Sequence, residues 1–173
     1  MTKTASDPST LPAPFRNRAI SYTGTILSLL GVIDATILTI AHFTTASVLA
    51  CPATAFINCA KVTTSSFSSI IGIPVAILGL MFFVVMLVLQ LPQTWKIRQP
   101  LVIWARLGMS IIGLGMVFWL VYVELFKLNA ICLYCTGVHT LTFGLFIVTA
   151  IGTALITQQS GPKSNRLSAD SHD

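Results

Sequence analysis

Four cysteines in two close pairs are the residues of this chain best suited to chemistry. Cys132 and Cys135 form a Cys-x-x-Cys pair where a long apolar run begins, and Cys51 and Cys59 lie far upstream in a polar loop. Residues three apart are neighbours on a helix, so Cys132 and Cys135 can close a disulfide or present two thiols to one acceptor. A helix that begins here would favour the thiolate, the reactive form, through its free N–H groups and its dipole. The spacing therefore indicates thiol–disulfide chemistry.

Each cysteine pair also has a plainer interpretation. Cys132 and Cys135 could form a structural disulfide, remain as two buried thiols or, in a soluble chain, supply half of a zinc site. Their short separation argues against a structural bridge, since such bridges more often join distant parts of a chain. Cys51 and Cys59 could be a second redox pair that passes electrons to the first, or a disulfide that only holds their loop in place.

Three ionisable residues lie in or beside the apolar runs. Asp34 lies near the middle of the first run, where it is either functional or protonated and hydrogen-bonded within the protein. Glu124, about two turns of chain before Cys132, either tunes the chemistry of the thiols or extends to the membrane surface. His139 shares a helix face with Cys135, four residues earlier. It either donates a hydrogen bond to an acceptor that Cys135 touches or bonds only a neighbouring helix.

The composition identifies the setting of these residues. Of the 173 residues, 54% are hydrophobic and 9% are charged, whereas soluble domains carry about 25% charged residues. The chain is therefore a membrane protein with the size of one compact domain. Its net charge of +5 does not indicate a nucleic-acid partner, because no basic face or stripe is visible.

Four apolar runs are each about long enough to cross a bilayer, which takes roughly 20 helical residues. They cover residues 22–41, 70–91, 102–125 and 131–156. Pro74 falls in the first turn of the second run, where its missing N–H costs little. The long loop 42–69 is poor in charge, so we expect it to lie on the membrane as a lid. The predicted fold is an all-α bundle of four transmembrane helices, residues 20–157, between polar tails 1–19 and 158–173.

The basic residues sort onto one side of this bundle. By the positive-inside rule both tails are cytoplasmic, and all four cysteines face the periplasm, the extracellular space or the ER lumen, where disulfides persist. A metal centre of four cysteines is an alternative, but an oxidising side gives no reason for zinc, and we expect no metal. The cytoplasmic side would hold Lys3, Arg16, Arg18, Lys96, Arg98, Arg106, Lys163 and Arg166, and the other side Lys61 and Lys127.

Glycines and aromatic residues predict how the helices meet one another and the bilayer. Four pairs of glycines are spaced by seven, so each pair lies on nearly one helix face, where small residues let transmembrane helices approach closely. We expect them to line helix–helix seams, although glycine is common in such helices. The pairs are Gly24 and Gly31, Gly72 and Gly79, Gly108 and Gly115, and Gly137 and Gly144. Tyr22, Trp95, Trp104 and Tyr134 fall near the expected interfaces and are predicted to be belt residues.

The order of the motifs is similar to that of a known family. Over about residues 20–156 the chain resembles the vitamin K epoxide reductase family in its stand-alone bacterial-like form. The specific feature is a loop cysteine pair followed by Cys-x-x-Cys at the start of the fourth helix, whereas the related DsbB family has its Cys-x-x-Cys in the first external loop. The matching pieces are Cys51, Cys59-Ala60-Lys61-Val62-Thr63-Thr64-Ser65, Gly72-Ile73-Pro74, Glu124 and Cys132-Leu133-Tyr134-Cys135.

The resemblance implies a bundle that encloses a quinone, of the ubiquinone, menaquinone or phylloquinone type, beneath the folded loop. Cys132 and Cys135 match the active-site pair, Cys51 and Cys59 match the shuttle pair, and Ser65 matches a serine near the quinone. Vertebrate members carry a tyrosine where this chain has His139, and we expect His139 to bind the quinone. Reduction of vitamin K quinone or its epoxide is left open.

The implied activity is that of a membrane quinone reductase that generates disulfides, a thiol:quinone oxidoreductase. Electrons would pass from a thioredoxin-like or DsbA-like partner in trans to Cys51 and Cys59, then to Cys132 and Cys135, then to the quinone. We expect the protein in a bacterial inner membrane, or in the ER membrane of a eukaryote. Two other classes stay open: a membrane metal-binding or transport protein with structural disulfides, and a purely structural protein of four spans.

Overall fold

The computed structural model describes residues 13–44, 49, 51, 54, 56–97 and 99–160, and it is mostly helical. Most of both expected tails and Arg98 lie outside the described residues. The elements are α1 (Ala13–Phe43), α2 (Cys59–Thr63), β1 (Ser69–Ile70), β2 (Ile73–Pro74), α3 (Val75–Gln90), α4 (Pro100–Tyr122), a π-helix (Val123–Leu128) and α5 (Leu133–Ser160), with 3₁₀ turns at Ser66–Ser68 and Thr94–Lys96.

Within the described residues, three helices are long and apolar enough to cross a membrane. They cover Arg18–Phe43, Pro100–Leu128 and Leu133–Thr157, and α3 is a shorter apolar helix of 16 residues. Large apolar side chains on the outer faces of these helices are exposed, which is favourable against lipid and costly in water. The chain is therefore a multi-pass membrane protein. Exposed examples are Ile26, Leu29, Leu30, Ile33, Ile40, Trp104, Ile111, Ile112, Phe118, Phe143, Ile147 and Ile151.

Two helix boundaries differ from those expected from hydropathy. Helix α1 begins at Ala13, inside the expected tail, because a proline near the start of a helix, here Pro14, does not interrupt it. Helix α3 begins at Val75 rather than residue 70, because residues 69–74 form the hairpin β1–β2. Its turn contains Ile71 and Gly72, both with positive φ. Pro74 thus precedes α3 instead of lying in its first turn.

Helix α1 packs against both α3 and α5, and α4 packs against α3 and α5. Glycines permit the closest approaches: Gly31 faces the ring of the fully buried Phe83, and Gly137 faces the carboxylate of Asp34. Gly24 faces Gln90 and Gly144 faces Leu27 in the same way, so the predicted seams are confirmed for the two pairs in α1 and α5. The prediction was wrong for the other two pairs. Gly72 lies in the hairpin turn, and Gly79, Gly108 and Gly115 meet no described atom within 4 Å of an added Cβ.

The end of the bundle farther from the cysteines, here called the closed end, is held by a network of polar side chains. The buried Gln90 donates to Thr149 Oγ1 (2.7 Å) and accepts from Trp95 Nε1 (3.1 Å). Arg106, 1% exposed, donates from Nε and Nη2 to the carbonyl of Leu89 (3.1 and 2.9 Å), and its guanidinium stacks 3.9 Å from the Trp95 ring centroid. Trp95 is half-buried and turns inward onto Gln90 and Arg106, and the buried Arg106 does not extend to the surface.

Candidate active site

The first two candidate residues lie at the start of α5. Cys132 directly precedes the helix, in the position of an N-cap residue, and its sulfur accepts a hydrogen bond from the backbone N–H of Cys135 (3.3 Å). The carbonyl of Cys132 accepts the N–H of Thr136 (2.9 Å), which closes the first helical turn. A cap residue normally satisfies a free N–H with oxygen, and here a sulfur does so. Both cysteines are free thiols.

Cys132 lies outside the apolar span, and its surroundings favour the thiolate. The thiol of Cys135 lies within hydrogen-bonding reach of the Cys132 sulfur and lowers the pKa of Cys132, and the backbone N–H groups of Cys135 and Tyr134 act in the same direction. Burial and the nearby carboxylate of Glu124 oppose this lowering. A thiolate is the nucleophile in thiol–disulfide exchange, so Cys132 is suited to exchange with another sulfur.

A short backbone bridge fastens the cysteine loop to the segment just before Cys132. The N–H of Asn58 donates to the carbonyl of Ile131 (3.1 Å), and the N–H of Ile131 donates to the carbonyl of Phe56 (2.8 Å). The side chain of Asn58 also caps α2 by accepting from the N–H of Lys61 (2.9 Å). Asn58 therefore links both sides, and it places Cys59, the first residue of α2, next to the start of α5.

The two cysteine pairs meet inside the protein. Cys59, 2% exposed, and the fully buried Cys132 belong to one buried cluster with Leu38, Val62 and Ala130. Cys59 is disulfide-bonded to Cys51, with a Cα–Cα distance of 6.1 Å, and Cys51 is less buried than Cys59. Cys59 is thus the loop cysteine on the side of Cys132, and Cys51 is the more accessible one.

Below this cluster lies a cavity of about 480 Å³, within the 300–1,000 Å³ range of small-molecule sites. Helices α1, α3, α4 and α5 form its walls, together with the segment 62–68 of the loop. The lining is almost entirely apolar, which suits a hydrophobic ring better than a charged ligand. Its apolar residues include Leu38, Phe67, Phe82, Phe83, Met109, Met116, Val117, Leu120 and Val138.

Three of the predicted site residues line this cavity: Cys135, His139 and Ser65. The hydroxyl of Ser65 donates to the carbonyl of Val62 (2.9 Å), so its proton is engaged within the loop. His139 is 8% exposed, and among the described residues its imidazole has no hydrogen-bond partner. The imidazole therefore keeps its hydrogen-bonding capacity for whatever occupies the cavity. Cys135, His139 and Ser65 therefore lie around one cavity, and Cys132 lies behind its wall.

Glu124 also lines the cavity, at a position set by the π-helix. The wide turn of Val123–Leu128 keeps both Val123 and Glu124 buried, and the chain leaves it through Asn129 in the left-handed region (φ 46°). The carboxylate of Glu124, 6% exposed, lies within hydrogen-bonding reach of the Cys132 N–H and the Cys135 thiol. It does not extend to the membrane surface. Single-turn π-helices occur often at functional sites.

Asp34 and His42 occupy different places around the thiols. The half-buried Asp34 lies against Gly137 in a separate open groove between α1 and α5, and it does not line the cavity. His42 does line the cavity, although in the sequence it is marked only as the first residue of the loop 42–69. Its helical spacing from the lining residues Ala35 and Leu38 could have revealed it, because residues at such intervals share one face.

A membrane helix bundle with a dithiol at the mouth of an apolar cavity, and a disulfide packed behind it, defines a class of membrane thiol–disulfide proteins. The model of the Vitamin K epoxide reductase family matches residues 23–150, from α1 into α5. The chain therefore belongs to this family. It is accordingly an oxidoreductase of the thiol–disulfide and quinone-linked kind. Among curated proteins, no significant match was found.

Proposed function

We propose that this protein is a thiol:quinone oxidoreductase that generates disulfides in a partner protein. The observation that carries the proposal is the division between the two sulfurs at the start of α5. Cys135 lines the apolar cavity with His139, whereas Cys132 lies in the buried cluster with Cys59. One sulfur therefore faces a small hydrophobic acceptor, and the other faces the loop disulfide.

The electron path follows from which sulfur each thiolate can reach. A thiolate of a thioredoxin-like or DsbA-like partner attacks Cys51, the more accessible loop cysteine, and releases Cys59 as a thiolate. Cys59 then attacks Cys132 in an oxidised Cys132–Cys135 pair and releases Cys135. The second thiol of the partner then attacks the partner–Cys51 disulfide, which leaves the partner oxidised and releases Cys51. Cys51 attacks Cys59 in the Cys59–Cys132 disulfide and releases Cys132, so the loop disulfide re-forms and the start of α5 holds two thiols.

The cavity fits a quinone ring of the ubiquinone, menaquinone or phylloquinone type by volume and by its apolar walls. A bound quinone supplies the two-electron acceptor that the thiols need. His139 would donate a hydrogen bond to a ring oxygen, where negative charge develops during reduction. Ser65, whose hydroxyl donates to the Val62 carbonyl, would have to turn from that carbonyl to donate to the quinone as well. The same site would serve for vitamin K quinone or its epoxide.

The proposed topology has four spans and a lid. Helix α3, with the hairpin before it, is the second span beside α1. The loop 42–69 would act as the lid: its segment 62–68 lines the cavity, whereas residues 45–48, 50, 52, 53 and 55 lie outside the described residues. Residues 20–157 form the membrane domain, and the tails 1–19 and 158–173 lie in the cytoplasm with most Lys and Arg residues. The cysteines then face the periplasm of a bacterial inner membrane, or the ER lumen in a eukaryote, where a redox partner is available.

Quinone reduction by purified protein tests this function. With dithiothreitol, which can reach Cys132 and Cys135 directly, both wild type and Cys51→Ser should reduce the quinone at similar rates. With a reduced thioredoxin-fold partner, wild type should be active and Cys51→Ser inactive. Cys132→Ser and Cys135→Ser should be inactive with either reductant. The measurement is the absorbance change of the quinone.

Two outcomes would contradict the proposal. Wild type inactive with both reductants would leave the cysteines as structural elements. Quinone reduction that survives replacement of all four cysteines would show that they do not carry the electrons, and metal binding or transport by that variant would favour the alternative of a membrane metal-binding or transport protein. Cys135→Ser also tests the path, since Cys132 should then accumulate a mixed disulfide with Cys59, and a Cys51–Cys132 adduct in peptide mapping would refute that order.

A further inference from the structure

Glu124 is a buried carboxylate that the electron path does not use. It lines the cavity together with Cys135, and its carboxylate lies within hydrogen-bonding reach of the Cys135 thiol. A buried carboxylate is costly unless hydrogen bonds or protons compensate it. Here the compensating groups are the Cys132 N–H and the Cys135 S–H, both of which belong to the reacting pair.

Reduction of a quinone by two thiols moves protons as well as electrons. Two S–H bonds break, one S–S bond forms between Cys132 and Cys135, and two O–H bonds form on the quinol. The dithiol supplies both electrons and both protons, so no further reactant is needed. The protons must nevertheless cross from sulfur to oxygen in a cavity with almost entirely apolar walls. A general base beside the donor sulfur would lower that barrier.

We propose that Glu124 is a catalytic acid–base residue, which takes the proton of the Cys135 thiol as that sulfur gives up electrons and returns it to a quinone oxygen. The inference rests on the proposed function and adds the route of one proton. Glu124 and Cys135 line the same cavity, and the Glu124 carboxylate lies within hydrogen-bonding reach of the Cys135 thiol. A relay between Cys135 and a ligand needs both contacts.

The other nearby ionisable groups meet only part of this requirement. Asp34 lies in the groove between α1 and α5 and does not line the cavity. His139 and His42 line the cavity. Among the described residues, neither histidine has a hydrogen bond to a cysteine. Glu124 is therefore the carboxylate with access to both sulfur and cavity.

The test is a single turnover of pre-reduced protein with excess quinone, which isolates the chemical step. Glu124→Gln keeps an oxygen that can accept the Cys132 N–H, so the fold around the thiols should persist. Its quinone reduction should slow about 100-fold, the lower range for loss of acid–base catalysis. Its quinone affinity should be unchanged. Exchange between the Cys51–Cys59 and Cys132–Cys135 pairs should not slow, because the lost carboxylate is one of the groups that oppose the Cys132 thiolate.

Two further variants separate proton transfer from general electrostatics. Glu124→Asp keeps a carboxylate and should recover a large part of the lost rate. Asp34→Asn makes the same acid-to-amide change near the thiols but outside the cavity, and it should reduce quinone at close to the wild-type rate. Equal losses in Asp34→Asn and Glu124→Gln would overturn the inference, because both would then act through charge alone.

The remaining outcomes distinguish failure of the proton relay from failure of the proposed function. If wild type reduces quinone and Glu124→Gln does so equally fast, the relay is refuted and the proposed function stands. If Glu124→Gln loses quinone affinity or thiol exchange along with turnover, Glu124 is structural and the inference falls. If wild type itself fails to reduce quinone, the proposed function fails, and the relay fails with it.

Discussion

The two ends of the helix bundle differ in how their buried polar side chains are hydrogen-bonded. At the closed end, Gln90 hydrogen-bonds Thr149 and Trp95, and Arg106 stacks on Trp95 and donates to the carbonyl of Leu89. At the cysteine end, His139 has no hydrogen-bond partner among the described residues, and Glu124 lines the cavity beside the Cys135 thiol. Both ends bury polar side chains among apolar helices. Among the described residues the closed end leaves one buried hydroxyl, Thr153 Oγ1, without a partner, whereas the unused capacity at the cysteine end borders a cavity.

This difference suggests how to separate structural from functional polar residues in a membrane bundle. A saturated network stabilises the packing, because breaking it leaves buried groups without partners. Unused capacity beside a cavity stabilises nothing in the free protein and is available to a ligand. Substitutions at the closed end should therefore lower stability, and substitutions at the cysteine end should lower activity. Three variants, in decreasing order of expected effect, test this division.

Arg106→Leu should cause the largest loss of stability. It removes both hydrogen bonds to the Leu89 carbonyl and the stacking on Trp95. The expected cost is about 3 kcal/mol, the scale of a buried charged hydrogen-bonding group. The apparent melting temperature in detergent should fall by several degrees, while quinone turnover per folded molecule stays at the wild-type level. Lys96→Leu, which removes an exposed charge at the same end, is the control and should leave the melting temperature unchanged.

Gly31→Ala should lower stability by a smaller amount. An added Cβ would overlap the ring of Phe83, which is fully buried and has little room to move. Overpacking of this kind costs about 1–3 kcal/mol. Gly108→Ala is the matched control, because an added Cβ there meets no described atom within 4 Å. Equal thermal stability of the two variants would show that the α1–α3 seam is not tightly packed.

His139→Phe should change activity without changing stability. The substitution keeps a ring in the cavity wall and removes the hydrogen-bond donor. Quinone affinity or turnover should fall roughly tenfold, about 1.4 kcal/mol, the scale of one hydrogen bond. The melting temperature and the exchange between the cysteine pairs should not change. Unchanged quinone kinetics would make His139 a packing residue, with Ser65 the next candidate donor, and would weaken the contrast between the two ends.

Hydropathy and motif order predicted the membrane class, the family and the long helices, because these depend on composition and local spacing. The length of α3 could not be read from hydropathy, since Ile70 and Ile73 are as apolar as the helix itself and only the turn at Ile71 and Gly72 separates them. The inward contacts of Trp95 could not be predicted for a similar reason. Its sequence position near an interface says nothing of Gln90, the partner that holds it inside.

The candidate site, like the fold, could be predicted from the sequence only where local spacing determines it. Helical spacing placed Cys135 and His139 on one face, and both line the cavity. The contact of Cys59 with the Cys132 cluster depends on the backbone bridge between Asn58 and Ile131. These two residues are 73 positions apart in sequence, and their side chains do not indicate that their backbones pair. The position of Glu124 depends on a π-helix, and no local residue pattern predicted that wide turn.

Because of the π-helix, the geometry of the site depends on the helical register of this segment and not only on its side chains. Each hydrogen-bonded ring of a π-helix contains one more residue than the corresponding ring of an α-helix. Deleting one residue after Glu124, such as the exposed Phe126, would allow the segment to relax into an α-helix and would rotate the chain that follows relative to Glu124. Every residue of the candidate site would still be present, yet the Glu124 carboxylate would no longer point toward the thiols. A substitution scan, which preserves chain length, would not detect this dependence, whereas a single-residue deletion scan across Val123–Leu128 would.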